Sequence, residues 1–246
     1  MRARCSPEEW KARVDLAACY RLVALYEMSD MMANHISARV PGEDEHFLIN
    51  AYGMTYDEIT ASSLVKIDLN GNVVQDSGTG YGVNHAGFVI HSAVHRARHD
   101  VACVIHTHTP AGMAVSAMEC GLLPLTQNAM FFSGVGMHDY EGPAVDLDEQ
   151  KRLVKDLGPH VAMVLKNHGL LAVGATIPEA FITIYWLERA CQAQVHALST
   201  KISLPEAETV KTTNDRYKPG QRRKIGELEW AGLLRLLERR YPGFRD

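Results

Sequence analysis

The 246-residue sequence has little of what would carry a chain out of the cell or into a membrane. No uninterrupted apolar run approaches the roughly 18 residues that span a bilayer. The N-terminus, Met1-Arg-Ala-Arg-Cys-Ser-Pro-Glu-Glu-Trp10, passes from two arginines straight into charge rather than into an apolar signal core. Cysteine is sparse and unpaired in pattern: Cys5, Cys19, Cys103, Cys120 and Cys191 are odd in number, widely spaced and without a CxxC, unlike a disulfide framework or a zinc knuckle. The net charge is only −4, and no basic stripe is interleaved with aromatics, so nucleic acid is not an expected partner. Internal repeats are absent. The expectation is a cytoplasmic globular protein with reduced thiols, and with 46% apolar and 22% charged residues it can bury one large core.

Histidine is plentiful. Six of the twelve fall between His85 and His108. Val101-Ala-Cys-Val-Ile-His-Thr-His-Thr109 alternates as a buried strand does, which puts His106 and His108 on one face about 7 Å apart, close enough to converge on one ion. A catalytic metal site commonly takes a third protein ligand and keeps a position open. Asn167-His168-Gly169 follows the apolar run Val161–Leu165 and supplies one, with a glycine that permits close backbone approach. The predicted site is therefore His106, His108 and His168. A histidine in an apolar strand is also consistent with a core residue whose hydrogen bonds are satisfied, because HxH alone is a weak signal. His91 and His95, one helical turn apart, form a second possible pair.

Ser6-Pro7-Glu8-Glu9 has the residues of a helix start, and apolar spacing continues that helix to about Met28. Strands are predicted over 34–40 and 46–50, then a hairpin around Asn70-Gly71 between 65–69 and 73–74. Helices follow over 86–98, 110–118 and 146–157, with a turn and short strand over 120–126. Thr176 caps the longest helix, which runs to about Leu198; its Phe181, Tyr185 and Trp186 read as core or subunit contacts. From Lys201 to Arg223 polar residues suggest a linker or extended arm, before a helix over Glu227–Arg240. The division is 1–200 for the main domain and 201–246 for linker and terminal helix.

Motifs in order along the chain carry a family likeness: Asn34-His35-Ile36-Ser37-x-Arg39, Glu45-His-Phe-Leu-Ile49, Glu58–Ile67, Gly82-Val-Asn84, Ala86-Gly-Phe88 with His91-Ser-Ala93, His106-x-His108-Thr-Pro-Ala-Gly112, Cys120-Gly-Leu-Leu-Pro124, His138-Asp-Tyr-x-Gly142 and Asn167-His-Gly169. From about Asp15 to Leu198 the sequence resembles the class II aldolase/adducin family, with the adducin head domain the closer likeness. The resemblance implies an α/β fold, three-layer α/β/α with a mainly antiparallel central sheet, assembled as a homotetramer. It places His106, His108 and His168 on metal-binding positions and Asn34, Tyr52 and Gly53 on substrate-binding ones. It implies a divalent ion, zinc first, with manganese, iron, cobalt or nickel as alternatives.

The same likeness implies altered chemistry. Gly87 stands where the sugar-phosphate aldolases have a glutamate, and Asn128 where the family's dehydratases have theirs; neither transfers a proton. His85-Ala86 and Tyr52 replace expected phosphate contacts. His85 becomes the candidate base, with Tyr140 and His138 as secondary candidates. The expectation is a metal-dependent lyase, of aldolase or decarboxylase type, for a small unphosphorylated carbonyl or oxo-acid compound. A non-catalytic adducin-like interaction domain is the alternative. Adducin's neck and basic tail, which engage actin and spectrin, have no counterpart before Asp246, so those partners are not expected.

Overall fold

A computed structural model of the chain describes residues 1–142, 147–218, 221 and 224–246, with the side chains of His85, Ala86, Phe88 and Leu147 also outside the described set. Ser6 starts helix α1 (Pro7–Leu25) by accepting the Glu9 N–H at 3.0 Å. The helix stops short of Met28 because Glu27 turns left-handed, at φ 57°. Met28 N–H then reaches Val23 O and Glu27 N–H reaches Ala24 O, a Schellman closure that buries Met28.

Four strands follow, β1 (His35–Val40), β2 (Glu43–Ile49), β3 (Val65–Asp68) and β4 (Val73–Gln75), and then helix α2 (His85–Ala97). Next come β5 (Cys103–Thr107), α3 (Pro110–Ser116), α4 (Gln127–Met130), β6 (Gly136–His138), α5 (Leu147–Leu157), β7 (Ala162–Leu165) and β8 (Gly169–Gly174). The chain closes with α6 (Ile177–Ala197), α7 (Ala207–Asp215) and α8 (Glu227–Arg240). The strands form one sheet in the order β4-β3-β2-β1-β5-β8-β7-β6, antiparallel throughout except for the parallel pair β6 and β7. This is the expected three-layer α/β/α arrangement.

Strand alternation sorts the two faces. Ile36, Ala38, Val40, Cys103 and Ile105 join the cluster under α1 and α6, whereas Val104, Leu171 and Val173 join the one under α2 and α5. On that second face β1 carries His35, Ser37 and Arg39 instead of apolar residues. β5 lies at mid-sheet between β1 and β8, which sets His35 opposite His106 and His106 opposite Leu171. Among the described residues, no helix is long and apolar enough to cross a membrane.

Several expectations change. The hairpin partner β8 went unpredicted, since Lys166-Asn167-His168 interrupts the apolar pattern; Asn167 makes the reversal at φ 54°. Residues 120–126 form no strand; the short helix α4 follows, capped by Thr126. Part of the polar segment after Lys201 is helix α7 rather than extended arm, and Asn214 Nδ2 donates to Phe131 O at 2.8 Å. Phe131 and Phe132 are buried within this chain, Phe131 against Phe132, Trp186 and Tyr217. The predicted helix start at Asp146 lies outside the described residues. Helix α8 docks on α1: Trp230 Nε1–H donates to Asp15 Oδ1 at 2.9 Å, and Arg21 donates to the carbonyls of Tyr241 and Pro242.

Candidate metal centre

At the end of β5 the strand stops at Thr107, so His108 is placed by the turn into α3 rather than by alternation. Thr109 fixes that turn. Its hydroxyl accepts the Gly112 N–H at 3.1 Å, capping α3, and donates to Glu188, a carboxylate buried on α6 whose pKa burial raises. His168 arrives from the β7–β8 turn. Gly169 makes its approach possible, because a Cβ there would collide with Thr107 O and sit 3.2 Å from His108 Cδ2.

The three imidazoles meet at their Nε2 atoms. His108 Nε2 lies 2.7 Å from His106 Nε2 and 3.0 Å from His168 Nε2. The other nitrogens show which protons are present. His106 Nδ1 lies 2.9 Å from Leu170 O and His108 Nδ1 lies 3.1 Å from Asp30 Oδ2, and both of these oxygens only accept. Each Nδ1 therefore carries the proton and each Nε2 presents a lone pair. Lone pairs facing one another at such distances repel unless a cation lies between them. Imidazole nitrogens around a tetrahedral ion would stand roughly 3.3 Å apart, a small opening from the observed spacing. Burial pushes His168 down to about 4 and holds His106 well below its ordinary value, which keeps both in the ligating form near neutrality. The residues fit a divalent ion.

The triad opens on a cavity of about 400 Å³, lined also by Asp30, His35, Asn84, Gly87, Met113, Tyr140 and Asn167. Tyr140 is 55% exposed, with its ring centroid 6.1 Å from that of His168. His85 opens α2 beside this cavity wall, but its side chain lies outside the described set. His138 is not among the residues lining this cavity and is clamped by Asp156 at 2.8 Å and Glu149 at 3.7 Å. Asn34 does not line the cavity: buried, it donates to Met28 O and accepts the Asp30 N–H, which shapes the loop holding Asp30. Tyr52 and Gly53 also stand off the cavity, near Gly82 and Tyr81. The His91–His95 pair shares a hydroxyl: Ser37 Oγ is 2.7 Å from His91 Nδ1 and 2.8 Å from His95 Nε2.

Sequence reasoning missed Asp30 and His35. Asp30 sits in an irregular loop and offers no signal. His35 did offer one, because His35, Ser37 and Arg39 alternate with Ile36, Ala38 and Val40, marking a polar face on a buried strand.

Comparison with known proteins places this geometry. Residues 14–195 match the family described as the Class II Aldolase and Adducin N-terminal domain. The chain is 50% identical to a putative aldolase class 2 protein of Caulobacter vibrioides, covering 100% of this chain and 96% of that one. Mouse alpha-adducin is 42% identical across 95% of this chain, which spans 35% of the adducin. Among solved structures, an aldolase II superfamily protein from Pseudomonas syringae superposes with a TM-score of 0.94 at 49% identity, covering 100% and 99% of the two chains. L-fuculose 1-phosphate aldolase from Glaciozyma antarctica gives 0.86 at 27% identity, covering 97% and 93%.

Proposed function

Because the chain belongs to the class II aldolase and adducin family, we propose that it is a metal-dependent carbon–carbon lyase, of aldolase or decarboxylase type, for a small unphosphorylated carbonyl or oxo-acid compound. The observation that carries the reading is the meeting of three Nε2 atoms at one cavity wall. A divalent ion held by His106, His108 and His168, zinc first, would polarise a carbonyl and offset the charge that develops on its oxygen. Leu170 O and Asp30 hold two of the rings in the ligating tautomer. Tyr140 presents its hydroxyl group at the cavity rim as a proton carrier, and His85 is the other candidate. Gly87 brings no titratable group. Among the described residues lining the cavity there is no lysine or arginine, which supports an unphosphorylated substrate. We propose a homotetrameric assembly and a cytoplasmic location together with the activity.

The test uses protein purified without added ions. Elemental analysis is expected to find one divalent ion per chain in the wild type and none in His108→Ala. After cobalt substitution, 2-oxo acids should shift the visible absorption. Cleavage of L-fuculose 1-phosphate should be negligible, since general base assistance is worth about 10²–10⁴ in rate. Full metal occupancy in His108→Ala would show the site to be misassigned, and efficient cleavage of that sugar phosphate would refute the substrate class. The likeness to alpha-adducin supports a second reading, an interaction domain without catalysis. A metal-free wild-type protein that no oxo acid perturbs would favour it.

A further inference from the structure

Beside the triad sits a histidine with no settled partner. His35 is 4% exposed, it lines the cavity, and neither of its ring nitrogens makes a hydrogen bond of good geometry, the Gly87 backbone being its nearest polar contact. A buried polar group left in this state costs free energy, and native chains rarely keep one without a use. Its neighbours prevent it from finding another partner. The β1–β5 register sets it directly across from His106, with ring centroids 5.6 Å apart. On its other side the His91 ring stands 4.4 Å away, itself tied to Ser37. Beneath it is Gly87, where a Cβ would come within 2.6 Å of His35 Nε2. The missing side chain at 87 is the space that the imidazole fills.

We propose that His35 is a ligand-binding residue of this cavity, whose ring N–H donates a hydrogen bond to an oxygen of the small oxo compound held at the His106, His108 and His168 triad. The proposal rests on the metal-dependent reading above and deepens it. An imidazole keeps at least one N–H at any physiological pH, so the donor exists whichever nitrogen bears it. The fixed ring cannot rotate away, so little ordering remains to be done when a ligand arrives. The ligand class is an oxygen acceptor, carbonyl or carboxylate, small enough to reach both the triad and β1.

The experiment compares cobalt-loaded wild type, His35→Phe and His35→Gln, with oxalate as the probe. Cobalt content is read by elemental analysis, oxalate affinity by calorimetry and by cobalt absorption, and Tm on metal-free samples. His35→Phe should keep one cobalt per chain and keep or raise Tm, because it removes an unsatisfied polar ring while preserving a flat side chain. It should weaken oxalate by about tenfold or more, the usual scale for losing one hydrogen bond to a charged group. His35→Gln, which restores an N–H, should recover most of that loss. If the larger phenyl ring prevents folding, His35→Leu makes the same comparison. Wild-type oxalate affinity in the apolar variant would overturn the proposal, and so would loss of cobalt, which would make His35 a metal ligand. A cobalt-loaded wild type that binds no oxalate would overturn both this proposal and the oxo-acid reading, whereas equal binding by wild type and variant would remove only the role of His35.

Discussion

Lowering the pH of the metal-free protein from 6.5 to 5.5 should cost it several kcal/mol of stability, because of histidines that do not ligate the ion. Burial pushes His35 down to about 4 and His95 to about 3, and holds His91 well below its ordinary value. The Ser37 hydroxyl between His91 and His95 can donate to one ring and accept from the other, an arrangement suited to neutral imidazoles. In the unfolded chain each histidine binds a proton near 6.5, whereas in the folded chain these three do not until far lower pH. The unfolded state therefore holds more protons throughout the window, and stability falls as pH falls. Integrating from 6.5 to 5.5 gives about 1 kcal/mol per histidine and about 3 kcal/mol for the three, a large share of the 5–15 kcal/mol typical of a folded domain. His106 and His168 add in the same direction when no metal is present. Burial raises Glu179 and Glu188, whose protonation opposes the trend. Urea denaturation at half-unit intervals measures the slope, and His95→Gln, which removes one of five such histidines from the metal-free protein, should flatten it by about a fifth. Stability that is level or rising between pH 6.5 and 5.5 would refute the assignment of neutral buried histidines.

Asp30→Asn weakens the acceptor behind His108 and should lower metal affinity about 10–100-fold, measured by competition with a chelator; unchanged affinity would remove Asp30 from the site. Light scattering at micromolar concentration should give a multiple of 27.3 kDa, about 109 kDa for the proposed tetramer (4 × 27.3), and a mass near 27.3 kDa would refute assembly. The exposed Leu228 and the groove lined by Tyr26, Tyr185, Trp186 and Leu233 are the apolar surfaces that a partner copy could cover.

Where local chemistry decides the backbone, the sequence was readable. Ser6, Thr176 and the Asn70-Gly71 turn predicted element ends because each satisfies or relieves specific backbone groups. His106 and His108 were legible from their spacing, although His108 owes its position to the Thr109 cap and Glu188 rather than to strand alternation. What was hidden depends on the third dimension. The β8 strand disappears from a linear scan because its turn residues include a site histidine. The neighbours of Phe131 come from α6 and from near α7, far along the chain. The His91–His95 spacing suggested a shared ion, and only the β1 register reveals Ser37 between them. Asp30 becomes meaningful once the loop held by Asn34 brings it to His108.

The seam between the two ends of the chain bears on the order in which the protein is made. Helix α1 is made some two hundred residues before the groups that cover it: Trp230 bonds to Asp15, the Tyr241 and Pro242 carbonyls cap Arg21, and Ala61 and Ser62 N–H groups pair with the carbonyls of Phe244 and Asp246. A nascent chain released as far as α6 can assemble the sheet, but it leaves the outer side of its first helix wet and Arg21 without those acceptors. Completion of the native state thus waits for residues 230–246, and a chain made only as far as α6 has a defined sticky face for a chaperone to shield.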